Sequence, residues 1–252
     1  MIEVLLLSLI QGITEFIPVS SSSHLILVSS FLNFENKSLS LDVSLHAGSF
    51  FAVITYFYKD ILDFVNNRLL LFKIFISSLP VMLIGFFLVN TGLIEIFRDI
   101  KIIGWTTIIF GVLLYFSDTF KTERKLKNDF SIKSALFIGF LQVLSLIPGV
   151  SRSGITISAA RMLNFERYDS AKISFLLSIP TLAAVSLFGL KNIISSDSFD
   201  FSVLNLIAII LSFLISFITI KFFIDYIKKF SLVVFVLYRI VIGVLILIFA
   251  YL

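Results

Sequence analysis

Cysteine is absent from this chain of 252 residues. Its absence excludes disulfides, thiolate metal sites and a cysteine nucleophile, and leaves the compartment open. Charge is scarce too. Asp, Glu, Lys and Arg make up 14% of the chain, where a soluble domain carries about a quarter. The N-terminus, Met1-Ile2-Glu3, lacks the basic region and small-residue cleavage site of a removable signal peptide. What fills the chain instead is apolar. Hydrophobic residues reach 58%, phenylalanine alone contributes 30, and mean hydropathy is +1.07. A water-soluble fold of this size cannot hide so much apolar surface, so the bilayer must act as solvent for most of it. The net charge of +4 sits in short loops between apolar runs. That pattern reports topology and gives no reason to expect a nucleic-acid partner.

Six stretches read as ordinary spans, at about 43–58, 69–92, 102–117, 173–190, 203–224 and 231–251. Two others are apolar at both ends and polar in the middle. The first, about 2–32, breaks at Pro18-Val19-Ser20-Ser21-Ser22-Ser23-His24. The second, about 131–163, breaks at Pro148-Gly149-Val150-Ser151-Arg152-Ser153-Gly154. Non-helical backbone at membrane depth is tolerated only inside protein or beside a wet cavity. Each break with its two half-length arms therefore reads as a re-entrant helical hairpin.

The expected fold is an all-α polytopic membrane protein, with six transmembrane helices and two re-entrant hairpins in an inverted-topology repeat. Hairpin and three spans occur twice, as repeat 1 at about 1–117 and repeat 2 at about 131–252. A linker at about 118–130 joins them within a single integral membrane domain, 1–252. A hairpin returns to its side of entry and three spans reverse sides, so the second hairpin enters from the opposite face. In such repeats the broken segments meet near the midplane. The basic residues divide cleanly under this layout. Lys37, Arg98, Lys101 and Lys191 fall on the side of the termini, and 14 others, including Lys121, Arg124, Lys125 and Lys127 of the linker, on the opposite side. The positive-inside rule then puts both termini outside and the linker in the cytoplasm.

Ionisable groups at membrane depth suggest function. Glu15 and His24 belong to the first break and Arg152 to the second. Arg152 sits where one helix ends and another begins. There, exposed N–H groups and the hydroxyls of Ser153 and Thr156 join a guanidinium suited to phosphate. The alternative is an Arg152–Glu15 pair kept for structure alone. Ser21 and His24, three apart, share a helix face, so a histidine can activate the hydroxyl, and Glu15 can orient it, act as base or help hold a divalent cation. The serines Ser20–Ser23 can also serve only as caps. His46 reads as a structural histidine. Arg239, deep in the last span, can snorkel, pair with Asp225 or line the cavity.

Two motifs carry a resemblance. Gln11-Gly12-Ile13-Thr14-Glu15-Phe16-Ile17-Pro18-Val19-Ser20-Ser21-Ser22-Ser23-His24-Leu25 resembles the first signature of bacterial undecaprenyl-diphosphate phosphatases of the BacA type. Pro148-Gly149-Val150-Ser151-Arg152-Ser153-Gly154-Ile155-Thr156-Ile157 resembles the second. Arg167 and Ser174–Pro180 also fit, and length and span layout agree over the whole chain. Ser23 and Ser145 depart from the usual Gly and Ala.

The resemblance implies hydrolysis of a polyprenyl diphosphate to the monophosphate carrier lipid, an association with bacitracin resistance, and a place in the bacterial inner membrane. It also implies dependence on Mg²⁺ or Ca²⁺, with Glu15 as a metal contact, and is compatible with a homodimer. The implied catalytic residues are Glu15, Ser21, His24 and Arg152. Gln11, Ser22, Ser151, Ser153, Gly154 and Thr156 are expected to bind substrate in a site on the outer side. The other Ser-Arg lipid-phosphatase pattern needs a downstream histidine, and none follows Arg152. A lipid-phosphate flippase with the same inverted repeat is the alternative activity.

Overall fold

A computed structural model describes residues 1–32, 39–64, 67–195 and 202–252. Lys37 of the charge count lies outside the described residues. Among the described residues, six helices are long and apolar enough to cross a membrane: α3 (Leu39–Tyr56), α5 (Arg68–Asn90), α6 (Ile100–Asp118), α10 (Arg167–Ser195), α11 (Val203–Ile227) and α12 (Val233–Tyr251). They coincide with the six expected spans, except that α10 runs well beyond 173–190 at both ends. The protein is a multi-pass membrane protein. Large apolar side chains such as Phe87, Leu187 and Phe222 are mostly exposed on its outer surface, as lipid contact requires. Short helices α4 (Tyr58–Asp63) and α7 (Leu126–Asp129) lie in connections.

The two hairpins take up the rest. The first comprises α1 (Ile2–Thr14) and α2 (Ser21–Phe31). The second comprises α8 (Ile132–Gln142), a 3₁₀ turn at Val143–Leu146 and α9 (Arg152–Met162). The breaks are shorter than the sequence suggested: Ser21–His24 and Arg152–Gly154 already form the first turns of α2 and α9. Both second arms start in the same unusual way. Their N-cap residues, Ser20 (φ 78°) and Ser151 (φ 69°), sit at positive φ, a conformation that costs a non-glycine residue about 1–3 kcal/mol. Buried Val19 and Val150, just before them, anchor the turns.

Packing follows the repeat. Helix α1 rests on α11, and its counterpart α8 on α5; α3 rests on α11, and α10 on α5; α3 faces α10, and α6 faces α12. Swapping the halves exchanges these pairs, whereas the close packing of α9 on α6 and α10 belongs to the second hairpin. Small and hydroxylated residues allow these close approaches. A Cβ at Gly48 of α3 would collide with the backbone of α11. Beside it, Ser49 hydrogen-bonds Ser212 (3.2 Å) and Ser216 (3.0 Å). Overpacking a tight contact costs about 1–3 kcal/mol. Gly48→Val is therefore expected to lower the unfolding temperature in detergent; an unchanged value would show that α3 and α11 do not meet at Gly48.

At the linker end, the Asp118 carboxylate accepts two bonds from Arg167 (2.7 and 3.0 Å) and one from the Leu232 amide (3.2 Å). Buried Arg161 lies 3.5 Å from it and donates to the Asp118 carbonyl. Lys172 also pairs with Asp60. These contacts join the ends of α6, α9, α10 and α12, and tie α4 to α10. All these cations belong to the group of 14 that the charge count assigned to one face.

Candidate active site

The two breaks are stitched to each other. The Gly149 amide donates to Ser20 Oγ (3.2 Å), and Ser153 Oγ donates to the Ile17 carbonyl (2.9 Å). Gly149 has φ +97°, and a Cβ there would strike Thr106 and the Ile103 carbonyl; only glycine suits the position. Phe16 is fully buried edge-to-face on Phe175 at 5.3 Å. This anchor fixes the backbone on which Glu15 stands.

Glu15 is the hub. Its Oε1 accepts from Arg152 Nη2 at 2.9 Å across the two hairpins. Its Oε2 accepts from Ser21 Oγ at 2.7 Å and from Gln11 Nε2 at 3.1 Å. A carboxylate with this many donors is held in one orientation. Gln11 Nε2 also lies 3.1 Å from His46 Nδ1. An amide nitrogen can only donate, so Nδ1 accepts and the His46 proton sits on Nε2. Arg152 keeps a second hold through Nη1 to the Ser174 carbonyl (3.4 Å).

Glu15, Ser20, Ser21, Ser22, His46, Ser151 and Arg152 line one cavity of about 200 Å³, with Gln142 and Ser145 on its second-hairpin wall. Val81 and Thr181 close it. Each follows a proline inside a helix, Pro80 in α5 and Pro180 in α10, where the missing amide loosens the helix. Val81, Leu146, Thr181 and Val185 also border an apolar groove of about 530 Å³ between α5 and α10. The polar cavity thus continues into an apolar channel.

Several expected site residues are placed elsewhere. His24 does not line the cavity. Its Nδ1 is 2.7 Å from the Ser20 carbonyl and its Nε2 is 2.6 Å from Tyr238 Oη, with the ring stacked on Tyr238. A carbonyl only accepts, so Nδ1 carries the proton. The hydroxyl partner expected of His24 is taken by Glu15. Ser153, Gly154 and Thr156 also sit behind the cavity wall. The Gly154 amide is capped by Ser151 Oγ (3.1 Å), and Thr156 Oγ1 donates to Ser174 Oγ (2.7 Å). These bonds shape the turn, and the three residues are not on the cavity wall.

Two residues stand where their sequence context does not place them. His46 is on the cavity wall, and only its spacing on a polar face of α3, near Ser49, hinted at that. Arg239 neither pairs with Asp225, which binds Lys228, nor lines the cavity. Fully buried, it donates to the carbonyls of Thr107 (3.2 Å), Pro18 (3.3 Å), Val150 (3.1 Å) and Gly149 (2.7 Å). One guanidinium therefore satisfies freed carbonyls from both breaks. No signal in the chain pointed to carbonyls as its partners.

Comparison with known proteins agrees with the motifs. The profile of the family described as bacitracin resistance protein BacA matches residues 4–245. An undecaprenyl-diphosphatase of Pelagibacter ubique (strain HTCC1062) is 50% identical over 251 residues, covering 99% of this chain and 98% of that one. Undecaprenyl-diphosphatases of Jannaschia sp. (strain CCS1) and Saccharophagus degradans are 39% and 38% identical, covering 98% and 94% of this chain and 97% and 93% of theirs. With the whole length matched and both polar breaks in place, the chain belongs to the bacitracin resistance protein BacA family.

Proposed function

We propose that this protein hydrolyses undecaprenyl diphosphate, or a similar polyprenyl diphosphate, to the monophosphate carrier lipid and inorganic phosphate. This activity recycles the lipid for peptidoglycan synthesis and confers bacitracin resistance. One observation carries the reading: a polar cavity holding Glu15, Ser21 and Arg152 runs directly into an apolar groove. A diphosphate joined to a long prenyl chain has this division of character. The chain lies between α5 and α10 and the head group in the cavity. The groove reaches Phe86, Val89 and Ile94, toward the ends of α5 and α10 that lie on the cation-poor side. By the positive-inside rule that side is the outer one, so the site is entered from outside.

The chemistry follows from the contacts. Arg152 neutralises charge on the terminal phosphate. Ser21 Oγ attacks its phosphorus while the proton passes to Glu15 Oε2, 2.7 Å away. The bond to the bridging oxygen breaks, and the lipid monophosphate leaves with the proton that Glu15 took from Ser21. Glu15, again a carboxylate, then deprotonates a water that attacks the phosphoserine; phosphate is released and the proton returns from Glu15 to Ser21 Oγ. His24 holds the Ser20 carbonyl and so positions Ser21 on the first turn of α2; a direct part in proton transfer requires its ring to leave Tyr238.

Glu15 is the carboxylate on the cavity wall and would be the protein's contact with a divalent ion; Gln11, one turn before it and off the wall, keeps its Oε1 buried without a hydrogen-bond partner. No group of three or more acidic or histidine side chains that could hold a metal occurs among the described residues, so the remaining ligands would come from the substrate phosphates. Mg²⁺ and Ca²⁺ are held by such oxygen donors together with substrate phosphates. When bound, the ion supplies charge neutralisation on the diphosphate. Purified protein is expected to release phosphate from the lipid diphosphate, to lose at least about tenfold of that rate in EDTA, and to recover it with Mg²⁺ or Ca²⁺. Substrate binding without phosphate release would favour a transporter instead.

A further inference from the structure

Gln142 is the counterpart of Gln11 in the second hairpin, at the last position of α8. The two glutamines are placed very differently. Gln11 binds Glu15 and His46, whereas Gln142, although fully buried and on the cavity wall, has neither its Oε1 nor its Nε2 in any hydrogen bond. A buried amide with both ends unsatisfied is costly and rare in native structures. A hydrophobic residue would fill the space at no such cost. The amide is therefore explained by a polar ligand that enters the cavity.

The position of Gln142 identifies which part of the ligand it meets. One turn further along the same wall are Ser145, in the cavity, and Leu146, which borders both the cavity and the apolar groove. The phosphate that carries the prenyl chain must lie where cavity and groove join. Ser21 and Arg152 belong to the other end of the head group, where the terminal phosphate is cleaved.

We infer that Gln142 forms the subsite for the phosphate that stays on the lipid, with Nε2 donating to one of its oxygens. Ser145 Oγ is placed to add a second donor. This subsite lets the enzyme select a diphosphate that is anchored at its lipid end, and it holds the monophosphate product after cleavage. The inference rests on the phosphatase reading above.

The test uses full-length protein in detergent, with Gln142→Leu (similar volume, no hydrogen bonding) and Gln142→Glu (similar shape, added negative charge). Three quantities are measured: KM and kcat for polyprenyl diphosphate, inhibition by polyprenyl monophosphate, and inhibition by inorganic phosphate. A hydrogen bond to a charged group contributes about 10- to 100-fold in binding. Gln142→Leu is expected to raise KM and weaken monophosphate inhibition by about that factor. Inhibition by inorganic phosphate, which binds at the Arg152 end, is expected to stay the same, and kcat to change far less than KM. Gln142→Glu is expected to weaken monophosphate inhibition further, through repulsion. Unchanged monophosphate inhibition in both variants, or equal weakening for monophosphate and inorganic phosphate, would overturn the assignment. If wild-type protein releases no phosphate, the phosphatase reading fails on its own; lipid monophosphate binding, followed by thermal shift in wild type and variants, still judges the subsite.

Discussion

Arg152→Ala is expected to lower kcat/KM for the lipid diphosphate by about 10³-fold or more, the scale on which removing a preorganised charge from a transferring phosphoryl group acts. The effect has two parts. The terminal phosphate loses its guanidinium, and Glu15 loses the 2.9 Å contact that fixes its carboxylate across the hairpins. Arg152→Lys separates them. Lysine keeps the charge but not the planar fork that spans Glu15, the Ser174 carbonyl and a phosphate. It is expected to recover no more than about a tenth of the wild-type rate. Phosphate release by the purified variants checks both numbers. Near-wild-type turnover by Arg152→Ala would remove Arg152 from the reaction and leave its pairing with Glu15 structural.

Arg239→Ala has the second large effect, by a different route. Arg239 touches no cavity residue's side chain in a bond; it holds backbone. Without it, the carbonyls of Pro18, Gly149, Val150 and Thr107 lose a buried donor, and a void opens between α12 and the breaks. Orphaned buried polar groups plus a cavity of this size cost about 3–5 kcal/mol. Both turns it clasps carry site residues, Ser21 just after one and Arg152 just after the other. Activity is therefore expected to fall with stability, by more than about 100-fold. Arg239→Lys is expected to fail as well, because one ammonium cannot reach four carbonyls in a fixed fork. The unfolding temperature in detergent, read beside activity, checks this. A stable, active Arg239→Ala protein would show that the breaks hold themselves in place.

The contrast between these two arginines shows how far the sequence could be read. Spans, hairpins and side division follow from hydropathy and from where cations are affordable in a bilayer, both of which are local. Proline and glycine marked the breaks for the same reason. The place of Arg152 was legible: the break put it at a helix start, and its pairing with Glu15 was among the contacts open to it there. Arg239 was not, since its partners are carbonyls from two distant turns that the fold alone brings together.

His24 and Ser21 illustrate a second limit. Residues three apart share a helix face, but the spacing does not say what each end of that face meets. Ser21 is at the first helical position, and its side chain leans back over the preceding turn toward Glu15. His24, one turn on, meets Tyr238 of α12. His46 and Gln142 illustrate a third. Each shares its helix with other polar residues, and only the packing of α3 and α8 around the breaks turns these two toward the cavity.

The central claim is that the two hairpins make one site. A double-mutant cycle across them tests it most directly, with conservative changes that leave measurable rates: Glu15→Asp in the first hairpin and Arg152→Lys in the second. Phosphate release from the lipid diphosphate is measured for wild type, both single variants and the double variant. Groups that act as a unit are strongly non-additive. The account predicts that the double variant is barely slower than the slower single variant. Losses that multiply would mean that Glu15 and Arg152 act independently, and would contradict a shared site.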